Sequence, residues 1–224
     1  MASSADIDNL ILRAFPPCVR QLQFAPVQAV RFSDIGSKPY VSGLASELMT
    51  SSQWEEEYWV LDEQGDVQRV SPEVFLATTG QSRFSRSDSL REAHRRLIPS
   101  LTHLERALQS SDLSHALSGA YGEPVHFLSL EVVRYRNRHF LRRHSDLSGG
   151  RRFAIVLFFS EGWQPGYGGE LIFEAPSGAI TAIQPVCGTG AVIPIHLGCW
   201  HAVKPVQTPS WVRISLSVHF GTSN

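Results

Sequence analysis

Three side chains in the C-terminal half have the types and spacing to hold a metal ion. His144 and Asp146 are two residues apart, so on a β-strand they face the same way. His201 follows much later and could close a three-point site. Two imidazoles and one carboxylate on one face of a divalent metal, with the other positions open, suit non-haem iron(II) and the activation of dioxygen. The chain has 9 histidines, and most need no role beyond the surface or a satisfied core position. A His-x-Asp triplet also arises by chance. Its setting gives it weight: it precedes a Gly149-Gly150 turn, and a strand-borne histidine and a basic residue follow near the C-terminus.

That basic residue is Arg213, with Ser215 two positions on and on the same strand face. A guanidinium holds a carboxylate through two parallel hydrogen bonds, and a serine hydroxyl adds a donor. Pro205 and Pro209 interrupt the chain between His201 and Arg213. In a plain hairpin the two residues would be cross-strand partners with Cα atoms about 5 Å apart, which would crowd anything bound between them. The expectation is therefore that the two strands belong to opposite sheets, with a corner at 205–210.

The elements that must position these residues are short. From Val125 onward, runs of Val, Ile, Phe and Leu alternate with Gly and Pro turns. Candidate strands are 125–135, 140–146, 152–159, 169–174, 179–184, 190–195, 200–204 and 211–220, a spacing that suggests an antiparallel sandwich or jelly roll. Upstream, 4–15 reads as a helix with Ser4 as cap, a stripe of Ile7, Leu10, Ile11 and Ala14, and a stop at Pro16-Pro17. Residues 26–34 suit a strand and 44–49 a short helix. The stretches 57–62 and 66–70 read as a hairpin, and Ser71-Pro72-Glu73 as a helix start. The polar stretch 77–89 reads as a loop, either a cover for the site or a plain connector. A Ser89/Glu92 capping box predicts a long helix with Leu90, Ala93, Leu97, Leu101, Leu104 and Leu108 on one face, kinked at Pro99. A second helix runs from Leu113 to Gly119. The leucine stripe is core packing. The expected architecture is one domain over 1–224, mainly β with α. Residues 1–120 supply helical support and substrate-side elements, and 121–224 form the β core.

Taken in order, Tyr135…His144-Ser-Asp146, Arg152-Phe-Ala-Ile-Val-Leu-Phe-Phe159, Gly168-Gly169-Glu170-Leu171, Gly188-Thr-Gly190, His201-Ala-Val-Lys-Pro205 and Arg213-Ile-Ser215 resemble the iron(II)/2-oxoglutarate dioxygenases, most of all their prolyl-4-hydroxylase-like branch. The resemblance implies a double-stranded β-helix (jelly roll) backed by the N-terminal helices, with iron(II), 2-oxoglutarate and O2 as reactants. His144, Asp146 and His201 match the iron ligands. Arg213 matches the residue that pairs the distal carboxylate of 2-oxoglutarate, with Ser215 assisting, and Tyr135 matches a tyrosine that binds 2-oxoglutarate. Gly168 and Gly169 match a structural pair. Two departures stand out. The tyrosine that some relatives place after the His-x-Asp turn is replaced by Phe158 or Phe159, and the basic residue follows the second histidine at a longer interval than in many relatives. The reaction implied is hydroxylation of an unactivated C–H bond with release of succinate and CO2. Asp146 favours this over halogenation, whose enzymes have a small residue there to admit chloride.

Composition narrows the alternatives. With 224 residues, 42% hydrophobic and 18% charged, the chain is long enough for a real core and is not disordered. Three cysteines without a Cys-x-x-Cys pair suit a reduced, cytoplasmic protein. The longest apolar run, Phe153 to Phe159, is too short to span a bilayer, and no signal peptide is visible. Seven arginines between 134 and 152 form either a field attracting acidic molecules or solvated strand faces. Net charge is −1, and the run Arg213-Ile-Ser215-Leu-Ser217-Val-His219 breaks the Arg-x-Asn-x-Thr-x-Arg pattern of AlkB-like demethylases, so nucleic acid is not expected as partner. The short chain favours a small-molecule substrate, such as an amino acid or specialised metabolite. A prolyl or other residue of a protein is the alternative, and a jelly-roll metal-binding module without turnover is the non-enzymatic one.

Overall fold

The computed structural model describes residues 4–25 and 27–222, without the side chains of 4–10 and 24. The first helix, α1 (Ser4–Phe24), does not stop at Pro16-Pro17 but runs through both. Each interior proline costs a helix about 3 kcal/mol. Against that, Ile11, Phe15, Val19 and Leu22 are fully buried, each contributing about 1.5–3 kcal/mol. Packing therefore outweighs the two missing hydrogen bonds. The Ser4 cap and the outer stripe residues Ile7 and Leu10 lie outside the described side chains.

The strand expected at 26–34 is β1 (Val30–Ser33), and α2 (Lys38–Thr50) starts earlier than expected, with Pro39 in its first turn. The hairpin forms as expected from β2 (Glu55–Leu61) and β3 (Val67–Val70), pairing Tyr58 with Val70 and Leu61 with Val67. Asp62 Oδ1 closes its turn by accepting from the Gln64 and Asp66 N–H groups. Ser71 caps α3 (Pro72–Ala77) through the Val74 N–H.

The stretch read as a loop at 77–89 contains a full strand, β4 (Arg83–Ser89). Its period-2 signal is hidden because both faces are polar: Ser85 and Ser87 are buried on one, and on the other Asp88 is buried among arginines. The long kinked helix is instead two helices, α4 (Glu92–Arg95) and α5 (Pro99–Leu108). Ser89 ends β4, so no capping box forms. The residue before a proline is pushed out of the helical region, and Ile98 is extended (φ −109, ψ 101), so Pro99 opens a new helix. Leu97 leaves the stripe at 68% exposure while Ile98 is buried. Ser110 caps α6 (Ser111–Tyr121), which ends at a left-handed Gly122, past Gly119.

All eight expected late strands are present: β5 (His126–Tyr135), β6 (Phe140–His144), β7 (Arg151–Phe158), β8 (Leu171–Glu174), β9 (Ile180–Ile183), β10 (Thr189–Pro194), β11 (Trp200–Val203) and β12 (Arg213–Gly221). They form an antiparallel sheet in the order β1-β10-β7-β12-β5-β4-β6-β11-β8-β9. The sheet folds over on itself. β4 joins the halves by pairing with β5 at one end and β6 at the other. The free edges approach where the Arg31 guanidinium donates to the Ala182 carbonyl. The result is a nearly closed jelly roll with helices on one outer face.

Alternation along β12 and β7 sorts the side chains. Ile214, Leu216, Val218 and Phe220, with Phe153, Ile155 and Leu157, face a core shared with α1, α2, α5 and α6. Ala154, Val156 and Phe158 face inward onto Leu171, Phe173, Ile183 and Ile193. β11 and β12 lie in opposite halves, as the Pro205–Pro209 corner implies. Gly168 makes that corner possible. Its φ is +74, and a Cβ there would lie 2.0 Å from the Pro205 carbonyl oxygen, so only glycine fits. Among the described residues no helix is long and apolar enough to cross a membrane.

Candidate active site

His144 is the last residue of β6 and pairs directly with His201 on β11. Their ring centroids are 4.0 Å apart. The His144 Nδ1 lies 2.8 Å from its neighbour Arg142's carbonyl oxygen, which leaves Nε2 for other partners. Asp146 is not on the same strand face as His144, as alternation had suggested. It lies beyond the strand's end with φ +55. The turn still delivers its carboxylate: Oδ1 is 3.5 Å from His144 Nε2 and Oδ2 is 3.3 Å from His201 Nε2. One potential donor atom from each of the three residues lies within 4.8 Å of the others.

The electrostatics suit a cation. Burial, then repulsion from His201, pushes the His144 imidazole down to about 4, so it is neutral with a free lone pair at pH 7. Burial alone would raise the Asp146 carboxyl. Hydrogen bonds from His201 and His219 outweigh it and hold the group well below the usual carboxylate range. The donor set, neutral nitrogen plus carboxylate, fits iron(II).

Arg213 opens β12 on the inner face of the opposite half. It is 2% exposed, and its Nε and Nη1 have no hydrogen-bond partner. Its guanidinium lies 5.0 Å from the centre of the Tyr135 ring, directly across on β5, and 5.3 Å from that of Phe158. Burial pulls it down to about 10, so it stays charged at neutral pH. A buried cation with unpaired donors is costly, and a bidentate carboxylate is its natural partner. The buried Tyr135 phenol is raised to about 12, chiefly by burial, and so remains a donor. Ser215 is buried one pleat along, opposite Val133 and Phe158. Of the two candidate phenylalanines, Phe158 faces this pocket, while Phe159 joins the helix-side core.

A cavity of about 990 Å³ opens beside His144 and Asp146. Trp59 and Val67 of the hairpin, Ser85 and Ser87 of β4, Leu147 and Trp200 help to line it. The Trp163–Tyr167 turn does not line it and packs with Val203, Val206 and Trp211.

Most of the arginine run is neutralised. Arg134 and Arg136 grip Asp88, Arg143 pairs with Glu174 and stacks on Trp200, Arg152 pairs with Glu123, and Arg151 reaches Asp146. A positive field over the site is therefore weak. A second His/acid group, Glu56, Asp88 and His139, also has ligand atoms close together. Arg86, Arg134 and Arg136 already satisfy its carboxylates, which marks it as an ion-pair network tying β2, β4 and β5 together. Two site residues escaped the sequence reading: His219, 3.2 Å from Asp146 Oδ2, and Arg151, 3.2 Å from Oδ1. Alternation was the available signal for His219, because it shares the inner face of β12 with Arg213 and Ser215.

Residues 130–221 match the family model of the 2OG-Fe(II) oxygenase superfamily. No curated protein matches the chain by sequence. Among solved structures, a Pseudomonas putida prolyl-4-hydroxylase is similar with a TM-score of 0.60 and 20% identity, over 92% of this chain and 98% of that one. A Trichoplax adhaerens prolyl hydroxylase, in complex with a hypoxia inducible factor oxygen degradation domain peptide fragment, has a TM-score of 0.66 and 14% identity, over 95% and 91%. The non-heme alpha ketoglutarate dependent epimerase SnoN from nogalamycin biosynthesis has 0.59 and 12%, over 92% and 81%. At these identities the likeness shows the fold. It agrees with the family match over residues 130–221, the segment that carries the candidate metal ligands, and the chemistry of that superfamily uses iron(II), 2-oxoglutarate and O2.

Proposed function

We propose that His144, Asp146 and His201 hold iron(II), that Arg213 with Ser215 and Tyr135 holds 2-oxoglutarate, and that the protein hydroxylates an unactivated C–H bond of a small molecule. The observation that carries this is Arg213: a charged, buried guanidinium with unpaired donors, on the inner face of the jelly roll. The bound metal would supply the oxidation, in which one oxygen atom enters the substrate C–H bond and the other enters succinate as CO2 leaves. The chain supplies the geometry. Arg213 orients the distal carboxylate, the Tyr135 phenol stays protonated and donates, and the Phe158 wall excludes water. The neutral His144 offers a nitrogen lone pair without first losing a proton.

The cavity supports a substrate larger than a free amino acid. Small-molecule pockets run from about 300 to 1,000 Å³, and this one is at the upper end. Its lining mixes indole and aliphatic surface with the Ser85 and Ser87 hydroxyls, which suits a specialised metabolite with polar substituents. A second reading, hydroxylation of a residue within a peptide, is favoured by the hairpin at the cavity mouth and by the prolyl hydroxylases among the structural neighbours. Residues 1–224 would act as one unit, because β1 and β4 complete the sheet. Three unpaired cysteines support a reducing, cytoplasmic setting. The test is succinate release with iron(II), 2-oxoglutarate and panels of amino acids, metabolites and peptides, followed by mass analysis for one added oxygen. No succinate and no visible band on anaerobic addition of iron(II) and 2-oxoglutarate would leave only a binding module.

A further inference from the structure

We propose that His219, backed by Ser129, is the positioning residue that holds Asp146 in its metal-binding pose; this rests on the reading of Asp146 as an iron ligand. The need for such a residue follows from the backbone. Asp146 lies past the end of β6 in the left-handed region, where a non-glycine residue carries a cost of about 1–2 kcal/mol. No strand ladder fixes its side chain. Its carboxylate must be held from elsewhere, and each oxygen has a holder: Arg151 Nη1 3.2 Å from Oδ1, and His219 Nε2 3.2 Å from Oδ2.

The two holders differ in stiffness. Arg151 is a long side chain at the start of β7 and is also drawn toward Glu131 at 3.9 Å. His219 is 1% exposed and sits on β12, which is paired on both sides by β5 and β7. Its Nδ1 lies 3.0 Å from the hydroxyl oxygen of Ser129, its direct partner in the β5 register. With the Ser129 hydroxyl donating to Nδ1, the neutral ring carries its proton on Nε2 and donates it to Asp146. Ser129 thus sets both the tautomer and the ring orientation, the usual task of an outer-sphere partner. Arg213 and His219 also share one face of one strand, six residues or roughly 20 Å apart. β12 therefore fixes the co-substrate anchor and the carboxylate anchor on a common ruler.

The experiment titrates Mn(II) into the full-length protein, read by EPR of the free ion, and records the visible band of the anaerobic iron(II)–2-oxoglutarate complex. His219→Ala should weaken Mn(II) binding about 10–100-fold and shift the band. His219→Gln, which keeps an amide donor at similar reach, should restore much of both, and Ser129→Ala should give a smaller loss in the same direction. Mn(II) affinity unchanged in His219→Ala overturns the proposal. So does a Gln variant as weak as the Ala variant when the two melt at the same temperature, because the histidine would then serve packing alone. Asp146→Ala separates the two levels. If it keeps Mn(II), the iron-site reading fails and this proposal with it. If it loses Mn(II) while His219→Ala keeps it, only the positioning role fails.

Discussion

Replacing Arg213 by methionine should make the ligand-free protein more stable and blind to 2-oxoglutarate. The guanidinium is buried between the rings of Tyr135 and Phe158, with Nε and Nη1 unpaired. It is charged at pH 7, since burial brings it down only to about 10. Substituting buried charges by an apolar side chain of similar volume often stabilises by about 1–4 kcal/mol. For a chain of this size, 1 kcal/mol moves Tm by about 2–4 °C, so the variant should melt roughly 2–16 °C higher. Binding moves the other way. Hydrogen bonds to charged groups are worth about 1.5–3 kcal/mol each, so losing a bidentate pair should cost roughly 3–6 kcal/mol. At 1.4 kcal/mol per decade, that weakens 2-oxoglutarate by at least about 100-fold. The assay is thermal denaturation with and without saturating 2-oxoglutarate, paired with succinate release. Wild type should gain Tm from the ligand, and the variant should start higher and gain nothing. A variant that melts lower than wild type and is still raised by 2-oxoglutarate would refute the assignment of Arg213 as an unpaired carboxylate receptor.

Other expectations are more direct. His144→Ala and His201→Ala should each abolish iron binding, measured by metal content after anaerobic loading, whereas His196→Ala should keep it, because that side chain is exposed and bonds only its neighbour's carbonyl. Asp88→Asn removes the charge that Arg134 and Arg136 both grip and should cost about 3–5 kcal/mol in urea denaturation. A loss under 1 kcal/mol would show the network to be ornamental. Gly168→Ala forces a Cβ into the Pro205 carbonyl and should displace the corner before β12, read as a lower Tm together with a raised KM for 2-oxoglutarate.

What could be read from the residues depended on whether one local rule governed them. The eight late strands were legible because short runs rich in Val, Ile, Phe and Leu stand between Gly or Pro turns, and the opposite-sheet placement of His201 and Arg213 followed from two prolines and the size of a ligand. Three misreadings have a common cause, a local signal overridden by contacts remote in sequence. β4 hid because its buried faces carry serines, Arg86 and Asp88, whose partners lie on β2, β5 and β6. α1 passed through two prolines because α5 and α6 cover its far end. Ser89 and Glu92 matched a capping box, but Ser89 belongs to a strand. At the site, the residues with chemistry were visible by type. The left-handed turn at Asp146 and the grip of His219 on it were not, since they depend on where β12 lies against β5.

β4 is the clasp of the molecule, and that limits what may be cut from it. It lies outside residues 130–221, yet it occupies the gap between β5 and β6. A fragment that kept only the matching segment would open the sheet there, leaving two rows of N–H and C=O groups to find strands in other copies. It would also bare Ile214, Leu216, Val218 and Phe220, now roofed by helices. Such a fragment would carry every proposed ligand and still collect as aggregate. The minimal folding unit is set by how the sheet seals itself, upstream of every proposed ligand.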